Sequence, residues 1–365
     1  MDELRYGIVG AGMMGLEHFR NLQALAGARV TAIADPHEPS REWARITAGE
    51  DELACFESQG ELLASGLVDA VVLATPNMTH AELLLDVLES PLPVLVEKPL
   101  CTTVQDCRRV IDCARDREAI VWVGLEYRYM PPVARLIQEV HSGTVGDVRM
   151  VAVREHRFPF LSKVADWNRF NRNTGGTLVE KCCHFFDLMN HIVGSSPLRV
   201  FASGGADVNH REERYDGEIP DIIDNAFVIL EYATGVRAML DLCMFAEGSE
   251  HQAELSVIGT EGKVEAFLPS AEVRVGRRDG WRAGVVREIV HDGRVAHEGF
   301  HHGSSYLEHV DFLAAVRSGA PPTVGLEEGL RSVAVGVAAH RSMDEGRPVA
   351  LAEVLDPTMP TAPQN

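Results

Sequence analysis

Apolar positions over the first 125 residues alternate between two rhythms. Short runs of continuous apolar character fall at Leu4–Val9, Val30–Ala34, Val68–Ala74, Val94–Val96 and Ile120–Val123, and each ends at a glycine or a polar residue. Between them, apolar residues recur at helical spacing, as in Leu16, Phe19, Leu22 and Leu25, then over His80–Leu88 with Thr79 as N-cap, and over Thr103–Ala114. Strands buried on both faces and separated by amphipathic helices predict βαβ units and a parallel sheet. The character changes after Gly124. A short helix from Pro131 to Val140 precedes strand-like runs at Val148–Val153, Val200–Ala202, Ala226–Tyr232, Val236–Met244, Ala253–Ile258 and Lys263–Phe267. Successive strands with Gly235, Gly259 and Gly262 between them predict an antiparallel sheet. A helix over Thr177–Ile192 interrupts the series, and helices near 305–317 and 327–343 close it.

At 365 residues the chain has room for about two domains. The pattern divides it into an α/β domain over 1–124 and a second domain over 125–355 that combines an antiparallel sheet with a few helices. The last helix, 326–344, is expected to pack back on the first domain, and 356–365 to form a loose Pro-rich tail. Lys plus Arg total 34 and Asp plus Glu 54, so the formal charge is 34 − 54 = −20. An anionic surface repels phosphate backbones, which argues against a nucleic-acid partner. No apolar stretch has the length of a membrane span, and Met1-Asp2-Glu3 lacks the basic flank of a signal peptide. The odd count of seven cysteines, with no Cys-x-x-Cys pair, points to reduced thiols and a cytoplasmic protein.

Gly10-Ala11-Gly12-Met13-Met14-Gly15 spells G-x-G-x-x-G between a strand and a helix. In that context the first glycine permits the turn, the second admits a diphosphate, and the third lets helix and strand approach. The helix start, at Met13 and Met14, offers N–H groups to the anion. Asp35 ends the second strand 20 residues after Gly15, where a carboxylate accepts hydrogen bonds from a ribose diol and repels a 2′-phosphate. NAD is therefore the expected cofactor, with NADP disfavoured; Arg41 nearby is the residue that works against this preference.

Further motifs follow in order: Thr75-Pro76-Asn77 with His80, Glu97-Lys98-Pro99, and Gly175-Gly176-Thr177-Leu178-Val179-Glu180 running on to His184 and Asp187. Tyr306, Phe312 and the Gly319–Thr323 turn come after them. With these the whole chain resembles the glucose–fructose oxidoreductase, inositol dehydrogenase and rhizopine-catabolism family (Gfo/Idh/MocA). The resemblance implies an N-terminal Rossmann domain with a parallel sheet and a C-terminal α/β domain built on an open, mostly antiparallel sheet whose exposed face packs against a partner subunit, giving a homodimer or homotetramer. It implies oxidation or reduction of a small sugar, cyclitol or related polyol by a nicotinamide cofactor. The cofactor site would combine Gly10, Gly12, Met13, Met14, Gly15 and Asp35 with Thr75, Pro76, Asn77, His80, Glu97 and Lys98. The family's lysine maps onto Lys98 and its histidine onto His184. Its aspartate maps onto Glu180, a departure that adds a methylene.

The chemistry explains why such groups are needed. Oxidising a secondary alcohol requires a hydride acceptor, a base for the hydroxyl proton and a donor for the developing alkoxide. Histidine titrates near neutrality, and a lysine ammonium stabilises an alkoxide. Residues 180, 184 and 187 share one face of the expected helix, so Glu180 can reach His184 and set its tautomer or stabilise its charged form, or contact substrate instead. Tyr127, Arg128, Trp167 and Asn168 are candidates for the substrate pocket. Residue types do not fix the direction of hydride transfer. A keto-sugar reductase, an epimerase-like enzyme with tightly held cofactor, and a non-catalytic NAD- or sugar-sensing regulator remain the alternatives. His297-Glu298-Gly299-Phe300-His301 spells the zincin motif, but glycines within and around it predict a loop, and no metal is expected.

Overall fold

In this computed structural model the described residues are 3–279 and 284–356. The chain forms two compact units, the first built from the chain up to Tyr129 together with Lys163–Trp167 and Gly293–Leu330. Its strands are β1 (Leu4–Val9), β2 (Ala28–Ala34), β3 (Ala54–Phe56), β4 (Ala70–Leu73), β5 (Val94–Glu97) and β6 (Val121–Gly124). Its first helices are α1 (Met13–Ala24), α2 (Glu38–Ala48), α3 (Gln59–Ala64), α4 (His80–Leu88) and α5 (Val104–Ala114). The strands lie in the order β3-β2-β1-β4-β5-β6, and every pairing is parallel. This doubly wound order reverses between β1 and β4, the crevice where such sheets bind ligands at their strand carboxyl ends. β4, β5 and β6 are buried throughout, as the continuous apolar runs require.

The second unit holds α6 (Pro131–His141), β7 (Val148–His156), α7 (Asn171–Thr174), α8 (Thr177–Glu180) and α9 (Cys183–Val193). It continues with β8 (Pro197–Gly205), β9 (Asn225–Tyr232), β10 (Arg237–Cys243), β11 (Ala253–Gly259), β12 (Gly262–Leu268), β13 (Glu272–Arg277) and β14 (Val285–Ile289). After α10 (Ser304–Ser318) and α11 (Leu326–Glu345) the chain ends in β15 (Val349–Ala350) and α12 (Leu351–Leu355). Nine strands lie in the order β14-β13-β12-β11-β7-β10-β9-β8-β15. All neighbours are antiparallel except β7 and β10, which run parallel. Strand residues alternate: Ala226, Val228, Leu230 and Tyr232 of β9 are buried, while Phe227 and Ile229 are exposed. The buried face carries α6 and α9.

Several details depart from the sequence pattern. α10 groups with the first unit, although the split at residue 124 assigns it to the second. The reason is packing: Tyr306, Leu307, Phe312 and Leu313 join the core of Tyr6, Ile8, Phe19, Leu22 and Trp122. α11 begins in the first unit and passes into the second at Arg331. The expected tail lies outside the described residues beyond Asp356. Thr79 is no side-chain cap, because a 3₁₀ turn over Asn77–Thr79 precedes α4 and the Thr79 hydroxyl donates to the Pro76 carbonyl at 2.7 Å. The helix expected over Thr177–Ile192 is broken at Lys181 and Cys182, dividing α8 from α9. β3 went unread because it has three residues at a sheet edge, β13 because Glu272, Arg274 and Gly276 interrupt its apolar positions, and β14 because it is an edge strand exposed at every residue.

Candidate active site

At the carboxyl end of β1 the three glycines have three distinct surroundings. Gly10 sits at φ +91°, and a Cβ there would lie 2.5 Å from the Ala74 carbonyl oxygen. Gly15 packs its α-carbon against the turn, where a Cβ would fall 1.9 Å from the Gly10 oxygen. Gly12 is the N-cap of α1 and has open space where a Cβ would project. The helical ladder starts with Leu16 N–H to Gly12 O, so the N–H groups of Met13, Met14 and Gly15 precede it. Met13 is exposed and Met14 half-buried.

Asp35, at the end of β2, braces this turn. Its Oδ2 accepts the Ala11 N–H at 2.8 Å and its Oδ1 the His37 N–H at 2.8 Å. Arg41 is buried and engaged: it donates to the Asp35 carbonyl at 2.6 Å and pairs with Glu38 and Glu57. Thr75, Pro76 and Asn77 follow β4, and the buried Asn77 amide nitrogen has no partner among the described residues. His80 is buried between the carbonyls of Pro99 (2.8 Å) and Thr75 (3.0 Å), tying the loop after β4 to the loop after β5. Burial pushes its imidazole below the usual range despite these two acceptors. A helix start with free N–H groups, open space at Gly12 and an unsatisfied amide nitrogen together fit a dinucleotide.

The end of β5 carries the densest chemistry. Glu97 is buried, Lys98 is half-buried, and the Lys98–Pro99 peptide is cis. Glu97 Oε2 accepts the Lys98 backbone N–H at 3.0 Å, and Oε1 lies 2.9 Å from His18 Nε2. Burial opposes the Glu97 carboxylate, but the His18 hydrogen bond and charge, with Lys98 and His301, hold it down at about 2. After β6, a 3₁₀ turn over Glu126–Tyr129 buries Glu126 and Tyr127 and leaves Arg128 half-buried. Glu126 accepts from the Ser305 hydroxyl and lies 3.0 Å from His301 Nδ1. Burial, reinforced by the charge of Glu97, pushes its carboxyl up to about 7. Next to it, Glu308 accepts the Trp122 indole N–H at 3.1 Å, and burial drives its carboxyl well above the usual range.

His297 and His301 of the zincin-like segment thus meet separate carboxylates, with His297 lying 4.0 Å from Glu17. Gly299, at φ +54°, breaks any helix between them. Among the described residues no cluster of potential metal ligands occurs.

In the second unit Glu180, His184 and Asp187 are all buried around the α8–α9 break. The shared-face spacing argument does not carry over to Glu180, since the helix is discontinuous between it and His184. At the break Lys181 turns inward, its Nζ 3.0 Å from the fully buried Glu155, whose Oε1 also lies 3.3 Å from Arg157. Burial and Arg157 lower the Lys181 ammonium, while Glu155 opposes that shift. Asn168 is buried and spends its amide on the Leu161 carbonyl and the Arg169 guanidinium, a supporting role within the loop. Trp167 is half-buried and groups with the first unit, as does Lys98; Glu180 and His184 belong to the second.

The family question is settled by comparison. Residues 4–125 match the model of an oxidoreductase family's NAD-binding Rossmann fold, and residues 137–351 match that family's C-terminal alpha/beta domain. The chain belongs to the Gfo/Idh/MocA oxidoreductase family. Among its relatives, a myo-inositol 2-dehydrogenase of Thermotoga maritima is 27% identical over 356 residues, covering 96% of this chain and 100% of the relative. An inositol 2-dehydrogenase of Rhizobium meliloti is 26% identical over 351 residues, covering 96% and 99%. The crystal structure of GenD2 from gentamicin A biosynthesis in complex with NAD superposes with a TM-score of 0.79 at 25% identity, covering 96% of this chain and 97% of that one. This Gfo/Idh/MocA chain is accordingly an oxidoreductase with an NAD-binding Rossmann domain. No described helix is long and apolar enough to cross a membrane.

The sequence pattern missed His18, His309, Glu308 and the Lys181–Glu155 pair. One signal was present for the first two. His18 shares a helical face with Leu22, and His309 with Phe312 and Leu313. Polar residues on two apolar faces mark a buried polar contact that neither helix needs alone.

Proposed function

We propose that this protein is an NAD-dependent dehydrogenase that moves a hydride between a secondary hydroxyl of a sugar, glycoside or cyclitol and nicotinamide. The reading rests above all on Lys98, a lysine at the carboxyl end of a central parallel strand whose peptide N–H is fixed by a buried carboxylate. The cofactor, when bound, supplies the hydride acceptor. Lys98 holds its ammonium toward the alkoxide oxygen and lowers the energy of the charge that develops there. His184 exchanges the hydroxyl proton, and Glu180, buried at the same break, is assigned to His184 or to the substrate. Tyr127 and Arg128 are assigned to the substrate. Names of the relatives support a cyclitol or sugar.

NAD is favoured over NADP because Asp35 presents a carboxylate at the end of β2, and because the cation of Arg41 is already matched by Glu38 and Glu57. Assembly as a homodimer or homotetramer is supported by the open face of the second sheet. Phe201 pairs with Ile229 and Ile229 with Met239, an exposed apolar row across three strands.

The test is a spectrophotometric screen for NADH formation across inositols, aldoses, glycosides and aminocyclitols. At least one polyol should be turned over. Lys98→Ala should bind NADH normally with turnover reduced to a small residual measured at high enzyme concentration, and His184→Asn should lower turnover by roughly 10²–10⁴-fold. Full turnover in Lys98→Ala would refute the proposal.

A further inference from the structure

One buried imidazole joins three elements of the first unit. His18 of α1 is fully buried; its Nε2 lies 2.9 Å from Glu97 Oε1 at the end of β5, and its Nδ1 lies 2.8 Å from Nε2 of the equally buried His309 on α10. Glu97 uses its other oxygen, Oε2, to accept the Lys98 backbone N–H at 3.0 Å. The chain of contacts therefore runs from His309 through His18 and Glu97 to the peptide of Lys98.

Proton placement along it follows from donors and acceptors. An ionised carboxylate only accepts, so His18 carries a proton on Nε2. A single proton then lies between the two rings, and either ring could supply it. The charges facing His18 decide: Glu17 from its own helix, Glu97 from β5 and Glu126 from the turn after β6 are all acidic, while His309 is the titratable group from α10. Burial opposes a charged His18, but the Glu97 hydrogen bond and these carboxylates raise its imidazole above the ordinary range. Burial, and then the charge of His18, push His309 well below it. Together with the two ring contacts, these directions favour the arrangement in which His18 donates from both nitrogens while a neutral His309 accepts at Nε2 and keeps its proton on Nδ1.

We propose that His18 is a positioning residue for Lys98: as a buried imidazolium it clamps one oxygen of Glu97, so that the other oxygen holds the Lys98 peptide and sets the direction in which the ammonium leaves β5. Because α1 also presents its start to the dinucleotide site, one rigid helix registers both the cofactor's diphosphate and the lysine. The neutral His309 serves as the fixed acceptor that orients the His18 ring. This inference rests on the reading of Lys98 as the group that meets the alkoxide.

The test compares His18→Leu and His18→Gln in the full chain, using the polyol that gives the fastest NADH formation in the screen. His18→Leu should lower kcat by roughly 10- to 100-fold, the scale of a small misplacement of a reacting group. NADH affinity, read by fluorescence titration, should stay within about threefold, a shift too small to register as loss of a binding contact. His18→Gln retains an amide donor for Glu97 and should recover part of the loss. In a Lys98→Ala background, His18→Leu should have no further effect, whereas a general structural role would multiply the two losses.

A readout independent of turnover is nitrogen NMR of histidine-labelled protein. At the ordinary imidazole midpoint of about pH 6.5, one ring should show two slowly exchanging N–H protons, and both signals should vanish in His18→Leu or His18→Gln. Undiminished kcat in His18→Leu, an equal fold-loss in the Lys98→Ala background, or a singly protonated His18 ring would overturn the proposal. If His18→Leu does not fold, His18→Gln and the spectrum of the unmodified protein decide it. Full turnover in Lys98→Ala would instead remove the underlying assignment of Lys98, and the positioning role with it.

Discussion

The same perturbation, one added methyl group, should have opposite consequences at two glycines of the β1–α1 turn. In Gly15→Ala the new Cβ would lie 1.9 Å from the Gly10 carbonyl oxygen and 2.9 Å from its carbon. Both are backbone atoms at the start of a helix, so no side chain can move aside. Overpacking of this kind costs about 3 kcal/mol or more when backbone must shift. That corresponds to a fall of roughly 6–12 °C in the thermal midpoint of a unit of this size. In Gly12→Ala the methyl group meets nothing within 4 Å, and φ −75° with ψ −163° is accessible to alanine. The weaker N-cap and the reduced chain entropy of the unfolded state offset each other, so stability should change by less than about 1 kcal/mol. The open space that tolerates the methyl group is, however, the space assigned to the diphosphate. NADH affinity should therefore fall at least about 10-fold, or roughly 1.4 kcal/mol. Differential scanning fluorimetry and NADH fluorescence titration on both variants separate the two effects. A Gly12→Ala protein that folds and binds NADH with native affinity would refute the placement of the diphosphate at this turn.

Three further outcomes follow from the described contacts. Asp35→Ser should weaken NADH and strengthen NADPH, since the carboxylate at the end of β2 is lost; paired titrations read it, and equal affinity for both cofactors in the unmodified protein would count against the NAD assignment. Glu126 provides a pH test. Its folded-state carboxyl is pushed up to about 7 from 4.5 by burial and Glu97, so the folded protein binds more protons between those values and loses stability as pH rises through them. Glu126→Gln removes that loss, and its stability relative to wild type should rise by up to about 3 kcal/mol between pH 5 and pH 8 (approximate ends of the window; the energy is the shift at about 1.4 kcal/mol per pH unit), measured by urea denaturation; a constant difference would contradict the burial argument. Ile229→Lys, in the centre of the exposed apolar row, should convert a dimer or tetramer to monomer by light scattering without lowering the thermal midpoint, and an unchanged assembly would place the interface elsewhere.

The fold was largely legible because each unit follows one rhythm. Continuous apolar runs such as Val94–Val96 read as strands buried on both faces, and β4, β5 and β6 are buried on both faces. Ala226–Tyr232 read as one strand of an antiparallel sheet, and it pairs antiparallel with β8 and β10. What failed was length and continuity. Nothing in Thr177–Ile192 signals a break, since no glycine or proline falls inside it; the interruption coincides with Lys181, which reaches a buried carboxylate on β7, a strand distant in sequence. Tertiary attraction of this kind overrides a helical pattern and leaves no local trace.

The site divides along the same line. Gly10, Gly12 and Gly15 could be assigned from sequence because their expected roles are backbone roles, and Asp35 because its spacing from them is fixed within one βαβ unit. Lys98 is assigned through the family's lysine, in a segment framed by Pro99 and a strand end. The groups behind Lys98 could not be read from sequence, because a buried ionic network is defined by its net balance across elements far apart in sequence. His18 and Glu97 are separated by 79 residues, and His18 and His309 by 291. Each residue alone looks like a misplaced polar group on an apolar face. An unpaired buried charge would be expelled or neutralised, so the ability of Glu97 to remain a carboxylate depends on His18 remaining protonated. That protonation depends in turn on three acidic groups contributed by three different elements. Conversely, the upward shifts of the Glu308 and Glu126 carboxyls follow from burial and from the same crowding, since the region holds more carboxyls than cations to match them. The order in which these carboxyls give up their protons is therefore a collective property of the folded unit. Its expected consequence is that Glu97→Gln and His18→Leu each shift the Glu126 titration, while substitutions of exposed acids such as Glu82 do not.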